Sequence, residues 1–223
     1  MKIAIIGYGK MGHAIEDCAL QQGHEVTCKI DLDDPWPDKI DADVAVEFTT
    51  PHTAADNLLR CFERHLPVVC GTTGWYDRYD EVSAECHRTD GRMLTATNFS
   101  IGMNIMFALN EQLARLMNGR PYKVDIAETH HIHKLDAPSG TAITLQQQIV
   151  ANSNRKAQEV PITSYREGEV PGTHTVRYES PIDTIYLTHE AHNRLGLAQG
   201  AVVAASWLAK AGTGVYTMAD VLK

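Results

Sequence analysis

The segment Glu128-Thr129-His130-His131-Ile132-His133-Lys134-Leu135-Asp136-Ala137-Pro138-Ser139-Gly140-Thr141-Ala142 sets three imidazoles and an ammonium beside a Ser-Gly-Thr that reads as a helix start. Imidazoles exchange protons near neutral pH, and both a lysine and a helix N-terminus attract anions. If residues 122–130 form a strand, Glu128 and His130 share one face and His131 begins the other. His130 is then a candidate proton donor, with His131, His133 and Lys134 as candidate anion ligands. Ser139, Gly140 and Thr141 offer hydroxyls and free N–H groups, a cradle for a carboxylate. Arg194 is a second candidate carboxylate clamp. Two rival readings exist for this segment. One is a solvated polar turn. The other is a metal site built from Glu128, His130 and His133, but Lys134 opposes a cation and the chain has no His-Glu-x-x-His helix. No metal is expected.

A second signature opens the chain. Gly7-Tyr8-Gly9-Lys10-Met11-Gly12 lies between a short apolar strand and a helix with Met11, Ile15, Cys18 and Ala19 along one side. In a dinucleotide-binding turn the first glycine permits the bend, the second lets a pyrophosphate approach, and the third lets the helix pack closely. Asp31 stands at the end of the next strand, placed to accept from a ribose hydroxyl. Its charge would repel a 2′-phosphate, which favours NADH. Lys10 leaves a phosphate contact open for NADPH. The competing reading is a plain glycine turn in an ordinary α/β protein. Gly71-Thr72-Thr73-Gly74 and Ala96-Thr97-Asn98-Phe99 each follow a predicted strand, so both point to the crevice where an open parallel sheet binds ligands.

The elements that must position these residues follow from periodicity. Strands are predicted over residues 3–6, 26–30, 44–48, 67–70 and 92–96. Helices alternate with them, one opening at Thr50-Pro51 and one spanning 77–88, with Gly23 as a C-cap. Alternation of this kind predicts a Rossmann-like parallel sheet covered on both sides. Ile105, Leu109, Leu113 and Leu116 mark a longer helix. A strand over 122–130, a helix over 141–150 and a polar loop over 151–159 come next. Strands over 162–166, 173–179 and 184–189 then run in succession, so a second α+β domain with a mixed or antiparallel sheet is expected. An apolar helix over 200–210 leads to a short tail. The expected division is residues 1–100 with 196–223 for the dinucleotide and 101–195 for the substrate.

Composition narrows the function classes. A net charge of -8 disfavours a general nucleic-acid binder. Cys18, Cys28, Cys61, Cys70 and Cys86 are odd in number, include no Cys-x-x-Cys and all lie early in the chain, which fits reduced thiols and a cytoplasmic enzyme. No signal peptide or membrane span is read, so no membrane partner is expected.

Taken together, Glu128-x-His130-His131-x-x-Lys134-x-Asp136-x-Pro138-Ser139-Gly140-Thr141-Ala142, Gly71-Thr72-Thr73-Gly74 and Asn98-Phe99-Ser100-x-Gly102 resemble the dihydrodipicolinate reductase family over essentially the whole chain. The resemblance implies an NAD(P)H-dependent oxidoreductase of lysine and diaminopimelate biosynthesis, acting on the cyclic dicarboxylate 4-hydroxy-tetrahydrodipicolinate, and a homotetramer assembled through the second domain. It implies His130 as catalytic acid and Lys134 as second proton-donor candidate and carboxylate partner. His131, Gly140 and Thr141 would hold the substrate, with Ser139 and Arg194 beside them. Gly7 to Gly12, Asp31, Gly71 to Thr73 and Ala96 to Phe99 would line the cofactor. Ile132 stands where the family often has arginine. The alternative from a different class is a non-catalytic NAD-sensing module, which leaves the histidine segment unexplained. A metal-dependent hydrolase is a third.

Overall fold

The computed structural model describes residues 1–32 and 34–223. It divides into two compact units, residues 1–100 with 195–223 and residues 101–194.

The first unit is a six-stranded, all-parallel sheet with helices on both faces. Its strands are β1 (Lys2–Ile6), β2 (Glu25–Ile30), β3 (Val44–Glu47), β4 (Val68–Cys70), β5 (Arg92–Thr95) and β10 (Gly214–Tyr216), in the order β10-β5-β4-β3-β1-β2. Alternate residues of β1 face opposite sides. Ala4 and Ile6 join a core with α2 (Pro51–Glu63) and α3 (Tyr79–Arg88), while Ile3 and Ile5 are buried just as deeply toward the other side. Burial on both faces is why these strands read as unbroken apolar runs. α1 (Lys10–Gln21) ends as expected, with Gly23 at positive φ donating to the Leu20 carbonyl at 3.0 Å.

Three expectations are corrected. The predicted helix over 77–88 begins as a 3₁₀ turn, Tyr76–Arg78, before α3. The C-terminal tail supplies β10, paired with β5 from Gly214↔Arg92, and α7 (Met218–Val221). A three-residue strand beside glycines carries too little periodicity to read. The last long helix, α6 (Leu195–Leu208), starts earlier than predicted because Gly196 and Gly200 weaken its helical signal. Gly200 is there for close packing: a Cβ at that position would lie 1.8 Å from the Phe99 carbonyl oxygen.

The second unit is a four-stranded mixed sheet in the order β7-β6-β8-β9, with β6 (Lys123–His130), β7 (Ile162–Arg166), β8 (Thr173–Glu179) and β9 (Thr184–Glu190). β6 pairs parallel with β7 and antiparallel with β8, which pairs antiparallel with β9. α4 (Ile101–Met117) and α5 (Gly140–Ala151) cover one face, burying Met103, Met106, Leu145 and Ile149 against Val124, Ile126 and Val176. Ile105, Leu109 and Leu116 lie on the exposed side of α4. The polar stretch after α5 includes a 3₁₀ turn at Ala157–Glu159.

Gly200→Ala should lower unfolding stability by about 1–3 kcal/mol through overpacking. Gly196→Ala, whose Cβ would meet only Ser100 Oγ at 3.9 Å, should hold or raise it. Equal urea midpoints for the two variants would contradict this account of α6.

Candidate active site

Strand register builds the site of the second unit. Glu128 on β6 sits opposite Ser164 on β7 and His174 on β8, and His174 sits opposite His189 on β9. A row of polar side chains therefore crosses an otherwise apolar face. His130, one pleat further along β6, is opposite Arg166. Glu128 is 1% exposed, His174 4% and His130 8%.

The two oxygens of Glu128 do different work. Oε1 accepts from the backbone N–H of Ser139 at 3.0 Å, from Ser164 Oγ at 2.6 Å and from Arg166 Nη2 at 3.4 Å. Oε2 is buried without a hydrogen bond and lies 3.4 Å from His130 Nδ1 and 3.7 Å from His174 Nε2. Neither contact is a hydrogen bond, and the carboxylate attracts either imidazole as a charge only when that ring is protonated. Burial alone would raise the Glu128 carboxyl, but donors from Ser139 and Ser164 hold it below the usual carboxylate range. Burial pushes His130 down, against the pull of Glu128, and pushes His174 down to about 4.

Ser139 is the N-cap of α5: its Oγ accepts from the Ala142 N–H at 3.2 Å and lies 3.2 Å from His174 Nε2. A Cβ on Gly140 would meet nothing within 4 Å, so the backbone at the start of α5 lies open. Arg166 ties down the loop before it, donating to the carbonyls of Lys134 at 3.3 Å and Asp136 at 2.5 Å. Lys134 Nζ is 2.8 Å from Asp136 Oδ1. His131 Nε2 and Arg194 Nη2 are 3.1 Å apart, which brings those two expected residues together. His133 turns outward to Glu169 at 3.2 Å. The trio weighed for a metal in sequence, with His133 as third ligand, is thus not assembled. Among the described residues, Glu128, His130 and His174 are the group whose donor atoms fall within 4.8 Å of one another. His174, Ser164 and Arg166 went unread in the sequence, because only pairing between distant strands brings them to Glu128.

In the first unit, β1 and β3 are neighbours and their following connections diverge, so a crevice opens at their carboxyl ends. A cavity of ≈ 440 Å³ lies there, lined by Gly7, Gly9, Asp31 and Thr49 among others. Gly7 has φ +91°, and a Cβ on it would lie 2.0 Å from the Phe48 carbonyl oxygen. A Cβ on Gly12 would lie 2.4 Å from the Gly7 carbonyl oxygen, whereas one on Gly9 would meet nothing within 4 Å. Turn, close packing and open approach are the three duties a dinucleotide asks of such glycines, so the residues present fit that group. Lys10 and Met11 form the first turn of α1. The Tyr8 side chain packs away on His13, Glu16 and Lys29, and its N–H reaches Asp31 Oδ1 at 3.3 Å. The other two predicted loops touch Phe48 and Thr49, which line this cavity, but among the described residues neither loop lines it. Thr49 N–H donates to Thr72 Oγ1 at 2.7 Å, and the Phe48 ring lies 5.7 Å from that of Phe99. Phe99 is buried, so its ring is packing. Thr73 is exposed, as is Thr97, while Ala96 and Asn98 are half-buried. A larger cavity of ≈ 570 Å³ opens at the opposite ends of the strands, where helix C-termini converge and Arg92 is bound by the Ala209 carbonyl. Its position excludes it from the crevice chemistry.

Family models for the N-terminus and the C-terminus of dihydrodipicolinate reductase match residues 1–99 and 102–222. The chain belongs to the dihydrodipicolinate reductase family. A 4-hydroxy-tetrahydrodipicolinate reductase of Christiangramia forsetii is 48% identical over 100% of this chain and 98% of its own. Another, of Alkaliphilus oremlandii, is 33% identical over 100% and 98%. In fold, the chain resembles the dipicolinate-bound dihydrodipicolinate reductase of Paenisporosarcina sp. TG-14, with TM-score 0.82 at 22% identity, covering 97% of each chain. A myo-inositol dehydrogenase of Corynebacterium glutamicum is similar at TM-score 0.61 and 15% identity, covering 96% of this chain and 90% of its own. Family membership makes the chain a nicotinamide-dependent oxidoreductase, and nothing in these comparisons favours a regulatory module. Among the described residues, no helix is long and apolar enough to cross a membrane.

The site's protonation bears on stability. An imidazole titrates near 6.5 when free, and the fold depresses His174 to about 4. Below pH 6.5 the unfolded chain gains protons that folded His174 refuses, so its contribution is whole above 6.5 and is lost as pH falls toward about 4. His130 and His189 are depressed in the same direction by burial. The denaturation midpoint should fall on acidification through that window, and less steeply in His174→Gln. A slope identical to that of the unaltered chain would contradict a buried neutral His174.

Proposed function

We propose that this chain reduces 4-hydroxy-tetrahydrodipicolinate to tetrahydrodipicolinate with a hydride from NADH, in the diaminopimelate route to lysine. The observation that carries the reading is the shared carboxylate of Glu128, with the imidazole of a proton donor on one oxygen and the N-cap of an anion cradle on the other. Reduced nicotinamide supplies the hydride when bound in the glycine-lined crevice. Gly7, Tyr8, Gly9, Lys10, Met11 and Gly12 hold its pyrophosphate end and Asp31 its ribose. Gly71, Thr72, Thr73, Ala96, Thr97, Asn98 and the Phe99 backbone line the remainder. A carboxylate at Asp31 favours NADH over NADPH.

The substrate is a dianion. His131 and Arg194, 3.1 Å apart, clasp one carboxylate, and the backbone and hydroxyls of Ser139, Gly140 and Thr141 take the other. Loss of the 4-hydroxyl as water leaves a conjugated imine. Hydride addition at C4 places an electron pair on the ring, and a proton from His130 quenches it, with Lys134 as second donor and carboxylate partner. Burial keeps His130 neutral in the free enzyme, so the incoming dianion raises its proton affinity and arms it only with substrate present. General acid catalysis of this kind contributes about 10²–10⁴-fold. No metal is needed, since Arg166 already faces Glu128 at 3.4 Å.

On this reading the partners are the small dicarboxylate and further copies of the chain, not nucleic acid or membrane. The uncovered face of the second sheet carries exposed Tyr165 and Tyr186, a surface suited to a homotetramer contact. All five cysteines are free, which suits a cytoplasmic enzyme.

His130→Gln should lower kcat by about 10²-fold or more while NADH binding is retained, and Lys134→Ala should damage both kcat and the KM for the dicarboxylate. Absorbance of NADH with freshly made substrate reads both, and NADPH in the same assay should give the lower kcat/KM. Near-normal turnover of His130→Gln would remove the proposed acid.

A further inference from the structure

The cavity at the carboxyl ends of β1 and β3 extends past Asp31 and Leu32 to a wall formed by Trp36 and Arg60 of α2. The Trp36 indole is half-buried against the core of the first unit, and two guanidinium groups, those of Arg60 and Arg64, lie 5.4 Å from its ring centre. The two arginines are in different situations. Arg64 is engaged within the fold, donating to the carbonyls of Pro37 at 3.1 Å and Arg60 at 3.0 Å, and so pins the Trp36 segment to α2. Arg60 is exposed, lines the cavity, and among the described residues its guanidinium forms no ion pair. A planar cation resting on an indole, open to a cavity, is a surface for a flat aromatic ring.

Which ring follows from the order of groups along the cavity. Gly7 and Gly9 leave room for a pyrophosphate, and Asp31 lies next, where a ribose hydroxyl would be met. The group beyond a ribose at that end of a dinucleotide is the base. Asp31 and Asp34 line the same cavity, and Asp34 Oδ2 accepts from the Asp31 N–H at 2.9 Å. Two carboxylates there oppose the alternative role for Arg60, pairing with a 2′-phosphate. We propose that Arg60 and Trp36 form the stacking platform for the adenine ring of the cofactor, with Arg64 as the residue that positions Trp36. The proposal rests on the reading of the crevice as a dinucleotide site, and it assigns base recognition to Arg60 of α2 and to Trp36.

Calorimetric titration of the full chain with NADH, ADP-ribose and reduced nicotinamide mononucleotide separates the two ends of the cofactor. Arg60→Ala should weaken ADP-ribose and NADH about tenfold, the scale of one lost stack, and leave the mononucleotide unchanged. NADH and NADPH should weaken by the same factor. Arg60→Lys should rescue little, because the planar fork rather than the charge is used. Trp36→Leu should behave as Arg60→Ala, with mononucleotide binding as the check that it is folded. Unchanged ADP-ribose affinity in Arg60→Ala and Trp36→Leu would overturn the proposal, as would a loss confined to NADPH. If the unaltered chain binds none of the three ligands, the dinucleotide reading itself fails and this platform with it.

Discussion

A carboxylate with almost no exposure to water is costly unless donors meet it, and the second unit is arranged around meeting Glu128 on one of its oxygens. Its Oε1 draws in the Ser139 N–H, the Ser164 hydroxyl and the Arg166 guanidinium. Those three contacts fix the start of α5, the neighbouring strand and, through Arg166, the loop carrying Lys134 and Asp136. Its Oε2 is left facing two imidazoles. A buried charge with one such flank is costly unless the flank can become cationic. The structure therefore stores an asymmetry: His130 is held neutral by burial, beside a carboxylate that favours its protonated form. That balance is what a dianionic ligand can tip.

The first unit solves a different problem, bringing a ligand against backbone. Gly7 and Gly12 are required by their immediate neighbours, since a Cβ on either would overlap a carbonyl oxygen. Gly9 is required by nothing in the chain itself and leaves space at the crevice. Two glycines build the turn and the third keeps it approachable. Thr49 and Phe48 then touch the loops after β4 and β5, so those loops pack beside the segment that lines the crevice.

Local chemistry was legible in the sequence wherever it depended on neighbours along the chain. The glycine turn, the helix start at Ser139-Gly140-Thr141 and the shared face of Glu128 and His130 all follow from spacing alone. The alternation of strands and helices identified the parallel sheet, and the run of three strands identified the mixed one. What could not be read is whatever depends on register. His174 and Ser164 are polar residues in ordinary strand patterns, and pairing with β6 alone turns them into partners of Glu128. His133 shows the reverse, for it stands in the richest segment yet points to Glu169. β10 escaped because a short edge strand is defined by its partner, β5, rather than by its own residues.

The dependence of the proposed proton donor on Glu128 is open to direct measurement by NMR titration of the His130 imidazole in the unaltered chain and in Glu128→Gln. Removing the charge while keeping the shape should lower the His130 pKa further and leave its Nδ1 and Nε2 tautomers mixed, because the attraction at 3.4 Å is lost. An unchanged His130 pKa with an unchanged tautomer would show that the buried carboxylate does not govern the imidazole, and would contradict the account.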